Sequence, residues 1–187
     1  MSNKKITKNE AAKLISSILQ VEAYSDAKTV FDIFNGSSHP KTDEKSFGLI
    51  VIEMTHFYIN IVDRLIFQQL KDECGREIFY EIVDLILKNH LETTYKSEKI
   101  SIHPDVFCKM FSDIHEKRQI EYGSYDFLPQ EEGLKNNLFW EFEKKLTEIV
   151  DVKENIQFIM MIHRMLAPAV EKISKVIKEI LISVECK

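Results

Sequence analysis

The sequence predicts an all-α fold, an antiparallel bundle of six to seven helices with long central helices. Three observations carry that expectation. Turn chemistry is sparse, because five Gly and four Pro in 187 residues leave few ways to connect many short strands. Apolar residues recur three and four apart over most of the chain. Near the C-terminus, Ile156, Ile159, His163, Leu166, Val170, Ile173, Ile177, Ile180 and Val184 keep that spacing without a slip, which is the seam of long helix-against-helix packing.

The elements follow in order. Thr7 and Glu10 form a T-x-x-E capping box ahead of Ala11, Leu14, Ile15 and Ile18, so the first helix runs from residue 8 to about 22. Ser25 is placed to cap a short second helix carrying Val30, Phe31 and Phe34. The stretch 35–46, NGSSHPKTDEKS, is a loop by composition. A long third helix spans from near Ser46 to near Cys74, with Gly75 as its stop. A fourth, about 76–91, sets Phe79, Ile82, Val83 and Ile86 against a charged face. The polar stretch 91–103 reads as a connection. Pro104 suits the first turn of a fifth helix that continues to about Tyr122. The next loop, YGSYDFLPQEEG, carries aromatics expected to pin it to the core. A sixth helix covers about 131–150, and the last about 153–185, where Pro168 should free the carbonyl of Arg164 and kink the helix. No repeat or second domain is visible, so residues 1–187 read as one helical-bundle domain.

The totals exclude several classes. Hydrophobic residues at 44% and charged residues at 29% describe a soluble globular chain. A net charge of −5 with no basic stripe removes the footprint of a nucleic-acid binder. No run of about 18 apolar residues occurs, so no membrane span is expected. The basic start, MSNKKITKNE, is followed by no apolar core and does not read as a signal peptide. Cys74, Cys108 and Cys186 are odd in number and far apart, which fits reduced thiols and a cytoplasmic location better than a disulfide framework.

Within the third helix, Glu53, His56, Asn60 and Asp63 are spaced three, four and three apart, which places them within an arc of roughly 80°. Arg64 falls at its edge. The rest of that helix is apolar over most of its circumference, so it should be central. Two readings of the stripe stay open: a narrow solvated face, or a polar site held inside the bundle. Glu53 and His56 form the E-x-x-H unit that di-iron bundles use in pairs, and here it occurs once. A mononuclear metal site would take His56 with Glu53 or Asp63, joined by His163 from the last helix. The bland alternative for His163 is a core histidine with one hydrogen bond. The run SDIHEKRQIEYGSYD, with Asp113, His115, Glu116, Arg118 and Glu121, reads as a solvated face. No nucleophile motif, phosphate loop or dinucleotide fingerprint occurs, and no cofactor is strongly implied.

Two function classes follow. The first is a non-enzymatic interaction or regulatory protein, expected to be a homodimer through the C-terminal helix. A helix of about 33 residues would span roughly 50 Å, beyond the ~30 Å of a small domain, leaving Ile173 to Val184 for a second chain. The second is a ligand- or metal-binding bundle, with an enzyme among its forms, whose site is the Glu53, His56, Asn60, Asp63, Arg64 and His163 set.

Overall fold

The computed structural model describes residues 5–36, 42–70, 73–96, 103–126, 137–152 and 155–186. These form a bundle of six α-helices with no strand among the described residues: α1 (Lys8–Asn35), α2 (Glu44–Gln69), α3 (Glu73–Lys96), α4 (Pro104–Gly123), α5 (Leu138–Ile149) and α6 (Ile156–Ile182). Each start that has a described cap follows the expected chemistry. Thr7 and Glu10 make both bonds of the capping box on α1, and Asp43, Asn137 and Asn155 accept backbone N–H groups at the starts of α2, α5 and α6.

α2 is the centre. It packs against all five other helices, and every residue from Glu53 to Val62 is buried. α1 lies along α2, α3 and α6, and α6 along α1, α2 and α5. The core between them is built from Ile15, Leu19, Phe57, Ile61, Leu166 and Ile173, all at most 2% exposed. Phe57 of α2 stacks on Phe142 of α5 with centroids 3.9 Å apart, and that stack anchors the short α5 helix.

Four expectations are corrected. The two N-terminal helices are one: Ser25 is exposed mid-helix, while Ala23, Ala27, Val30 and Phe34 continue the buried face of Ala11, Ile15 and Leu19. No Gly or Pro interrupts residues 8–35, so packing along α2 and α3 outweighs a local cap signal. Gly75 does not stop α2, which ends at Gln69. It sits in the first turn of α3, where a Cβ would lie 3.0 Å from Ile66 Cγ2, so it permits the close approach of α3 to α2. Helix α3 also continues through residues 91–96, which had read as connection. The expected helix at 131–150 is described only from Leu138, and 131–136 with most of the aromatic loop lie outside the described residues.

The fourth correction concerns the C-terminal seam. Ile159, Leu166, Val170, Ile173, Ile177 and Val184 are buried within this one chain. With 27 residues α6 is about 40 Å long, and α1 and α2, with 28 and 26, are of similar length. The bundle is elongated, so the diameter of a small compact domain was the wrong comparison. α6 runs unbroken through Pro168.

The thiols are also corrected. Cys74, in the first turn of α3, is bonded to Cys186 after α6, with an S–S distance of 2.02 Å across 112 residues, and Cys108 is free. Beside this bridge the N-terminal segment pairs with the end of the chain: Ile6 N–H donates to Ser183 O at 3.0 Å, and Glu185 N–H to Ile6 O at 3.0 Å. No helix among the described residues is long and apolar enough to cross a membrane.

Candidate functional site

The α2 stripe points inward, at α4. Glu53 is 5% exposed and His56 1%, so the solvated-face reading fails for both. The reason lies in α4, where Phe111, His115, Arg118 and Tyr122 are spaced four, three and four apart on one helical face. That face meets the stripe.

Glu53 is held on both oxygens. Arg118 Nη2 donates to Oε2 at 2.9 Å, Arg118 Nε lies 2.7 Å from Oε1, and the Tyr122 hydroxyl donates to Oε1. Arg118 also pairs with Glu121 at 2.6 Å, and Glu121 with Lys145 of α5 at 3.0 Å. Burial alone would pull the Arg118 guanidinium down; the Glu53 carboxylate outweighs it and raises its pKa. Burial, reinforced by Glu53, raises the Tyr122 phenol well above its ordinary value.

The next turns complete the clamp. Asn60 donates to Gln119 Oε1 at 3.1 Å and accepts from Arg64 Nε at 3.0 Å. Arg64 Nη2 donates to the carbonyls of Tyr122 and Tyr125, at 2.5 and 2.8 Å, and so ties α2 to the C-terminal end of α4, where Tyr122 O also accepts from Tyr125 N–H at 3.2 Å. Asp63 departs from the expectation. It is half-buried, makes no bond to α4, and lines a recess of about 200 Å³ with Ile66, Gly75 and Phe79. Burial raises its pKa, and Arg64 opposes the shift.

His56 is the exception within the stripe. Its ring lies 4.9 Å from Phe111 and 5.6 Å from His115, centroid to centroid, and neither ring nitrogen has a hydrogen-bond partner. His90 of α3 approaches the same phenylalanine at 6.0 Å. Burial pushes His56 down to about 3, with His115, Arg118 and His90 adding to the shift. Burial lowers His90 and His115 as well. Three neutral imidazoles from three helices therefore surround Phe111.

His163 does not join this set. Its Nδ1 lies 2.9 Å from Glu143 Oε1, and its ring packs on Phe139, which packs on Phe57. Glu143 is 1% exposed, and burial pushes its carboxyl up to about 9, while burial lowers His163. Both shifts favour a neutral pair, a carboxylic acid donating to an imidazole, over an ion pair.

No protein family, curated protein or solved structure matches the chain.

The metal reading meets a specific obstacle. Glu53 and His56, though three residues apart, diverge: the carboxylate is taken by Arg118 and Tyr122, and the imidazole faces Phe111 and His115. Among the described residues, no group of three or more His, Cys, Asp or Glu is arranged to hold a metal ion. The sequence reading missed the inward side of α4 because Glu116, Lys117 and Ile120, which are exposed, alternate with His115, Arg118 and Tyr122 and make the whole run look solvated. Sorting that run by helical angle separates the two faces.

Proposed function

We propose that the protein is a non-enzymatic helical interaction or regulatory protein, and that its polar stripe is a clamp holding α4 on α2. The observation that carries this reading is the state of Glu53: both oxygens are engaged by Arg118 and Tyr122 of α4. A buried charge pair satisfied in this way fixes how two helices sit and leaves neither oxygen of Glu53 free to act on a substrate. The test is recovery of the tagged chain, after crosslinking, from the cells that express it. A stoichiometric protein partner crosslinked to defined residues supports the reading. A chain recovered alone that turns over a small molecule, and loses that turnover with His56→Gln, overturns it.

Two narrower points belong with this reading. Homodimerisation through α6 loses its ground because Ile159, Leu166, Val170, Ile173 and Ile177 of the seam are buried within the one chain. We expect a monomer in sedimentation equilibrium at micromolar concentration; a dimer broken by Ile182→Glu would restore the earlier expectation. A cytoplasmic location rested on reduced thiols, and the Cys74–Cys186 bond removes that ground. Alkylation of the protein in intact cells decides it: a bonded pair places the chain in an oxidising compartment, a free pair in the cytoplasm. The rival reading, a ligand or metal on the stripe, draws on the unpartnered nitrogens of His56 and on Nδ1 of His115. Metal analysis of protein purified without an affinity tag tests it, and stoichiometric metal lost with His56→Leu would favour it.

A further inference from the structure

Helix α4 packs on α2 and α3 through two unlike halves. The C-terminal half carries Arg118, Gln119 and Tyr122, each bonded to α2. In the N-terminal half, 104–115, Phe111 is the one buried residue. Its ring lies against three imidazoles, with centroids 4.9 Å from His56 of α2, 6.0 Å from His90 of α3 and 6.5 Å from His115 of α4 itself. Both ring nitrogens of His56 and Nδ1 of His115 are shielded from water and have no hydrogen-bond partner.

The charged groups around this cluster give a proton no welcome. Arg118 of α4 faces His56 together with His115 and His90. Glu53, one turn before His56, is taken by Arg118 and Tyr122. On the α1 side, Lys28 lines the surface cleft that His90 also lines. No carboxylate among the described residues pairs with any of the three imidazoles. A proton on His56 would sit dry beside a cation, with no anion to receive it. Detaching 104–115 would put His56 and His115 in water at the exposure of one buried side chain, and would break no bond of the clamp. The helix cap does not oppose or drive this. Protonated His103 would lose its bond from Asp105 N–H and keep its pair with the Asp105 carboxylate at 3.5 Å.

We infer that 104–115 is an acid-released flap, which separates from α2 and α3 in mild acid and uncovers Phe111 and the His56 face while Arg118 to Tyr122 stay clamped. Histidine is the side chain whose ordinary titration falls between pH 5 and 8. Burial lowers all three imidazoles, so docking is fully favoured above the ordinary value of 6.5 and weakens as pH falls below it. With His56 held down to about 3, this residue alone should raise the ratio of released to docked flap about tenfold between pH 7.5 and 5.5.

A detached segment of this length is marginal as a helix in water, so its amides should exchange with solvent. The test is hydrogen exchange of the intact, disulfide-bonded protein, read by mass spectrometry at pH 7.5 and 5.5 and corrected for the intrinsic rate at each pH. Residues 105–115 should be less protected than α6, lose about a further tenfold or more at pH 5.5, and be indifferent to 1 M urea, as an opening that exposes little surface requires. His56→Leu, on α2 and outside the flap, should remove about tenfold of that loss. His115→Leu, at a partly exposed position, should also reduce it. A loss equal in the wild type and both variants overturns the inference, and so does protection of 105–115 equal to that of α6 at both pH values. The clamp serves here as the fixed end. If 118–123 loses protection together with 105–115, the clamp fails and the inference falls with it. If neither segment responds to acid, the inference falls and the clamp stands.

Discussion

Replacing His56 with leucine isolates the cost of burying an imidazole that has no partner. The ordinary imidazole value is 6.5, and inside the bundle His56 is pushed down to about 3. The folded state therefore resists a proton that the unfolded chain accepts. Its contribution to stability is complete above pH 6.5 and is lost as pH falls from 6.5 towards 3. At pH 4.5 the unfolded chain is favoured by about two pH units of proton binding, or about 3 kcal/mol. That is a large fraction of the 5–15 kcal/mol typical of a folded domain. Leucine has similar volume, no titration and no orphaned nitrogen, so at pH 7.5 the variant should be as stable as the wild type or more so. His90 and His115, also lowered by burial, give both proteins a further acid slope, which cancels in the difference. The assay is urea denaturation followed by circular dichroism at pH 7.5 and 4.5. The advantage of the variant should grow by about 3 kcal/mol between the two. An advantage that stays constant with pH would mean that His56 takes up its proton in the folded state as easily as in water.

Three further outcomes follow from other buried groups. Glu143 has its pKa raised from 4.5 to about 9, so its contribution is greatest at low pH and lost as pH rises from 4.5 to 9; Glu143→Gln should stabilise the protein by about 1–3 kcal/mol at pH 8 and flatten that decline, as measured by thermal unfolding across the range. Cys186→Ser opens a covalent loop of 112 residues and should cost about 4–5 kcal/mol in the chain-entropy account, read as a lowered denaturant midpoint under non-reducing conditions. Asp63→Asn, at the half-buried position that takes no part in the α4 clamp, should change stability by no more than about 0.5 kcal/mol in the same denaturant assay.

Local and periodic features were legible in the sequence, and features that depend on contacts distant in the chain were not. The capping box at Thr7 and the start at Pro104 are short-range patterns present where their spacing placed them, and of the C-terminal seam Ile159, Leu166, Val170, Ile173, Ile177 and Val184 are buried while Ile156 is exposed. The stripe on α2 was visible as a stripe, but its burial depended on whether another helix offered complementary groups. Arg118 and Tyr122 do so from 65 and 69 residues away. Glu143 carried a signal that went unused, for it shares a helical face with Phe139, Phe142 and Leu146, and a carboxylate on such a face calls for a partner. The disulfide had no local signal at all, since two cysteines separated by 112 residues meet only after α1, α3 and α6 have packed.

Glu53 and Arg118 form an internal clamp between α2 and α4. A double-mutant cycle of Glu53→Leu, Arg118→Leu and the double variant, read as unfolding free energy in urea, tests it most directly. Each single change leaves a buried charge without its partner and should cost about 3–5 kcal/mol, while the double change should cost far less than the sum of the two. Single variants that each lose under about 1 kcal/mol, with losses that simply add, would mark an exposed pair and contradict the clamp.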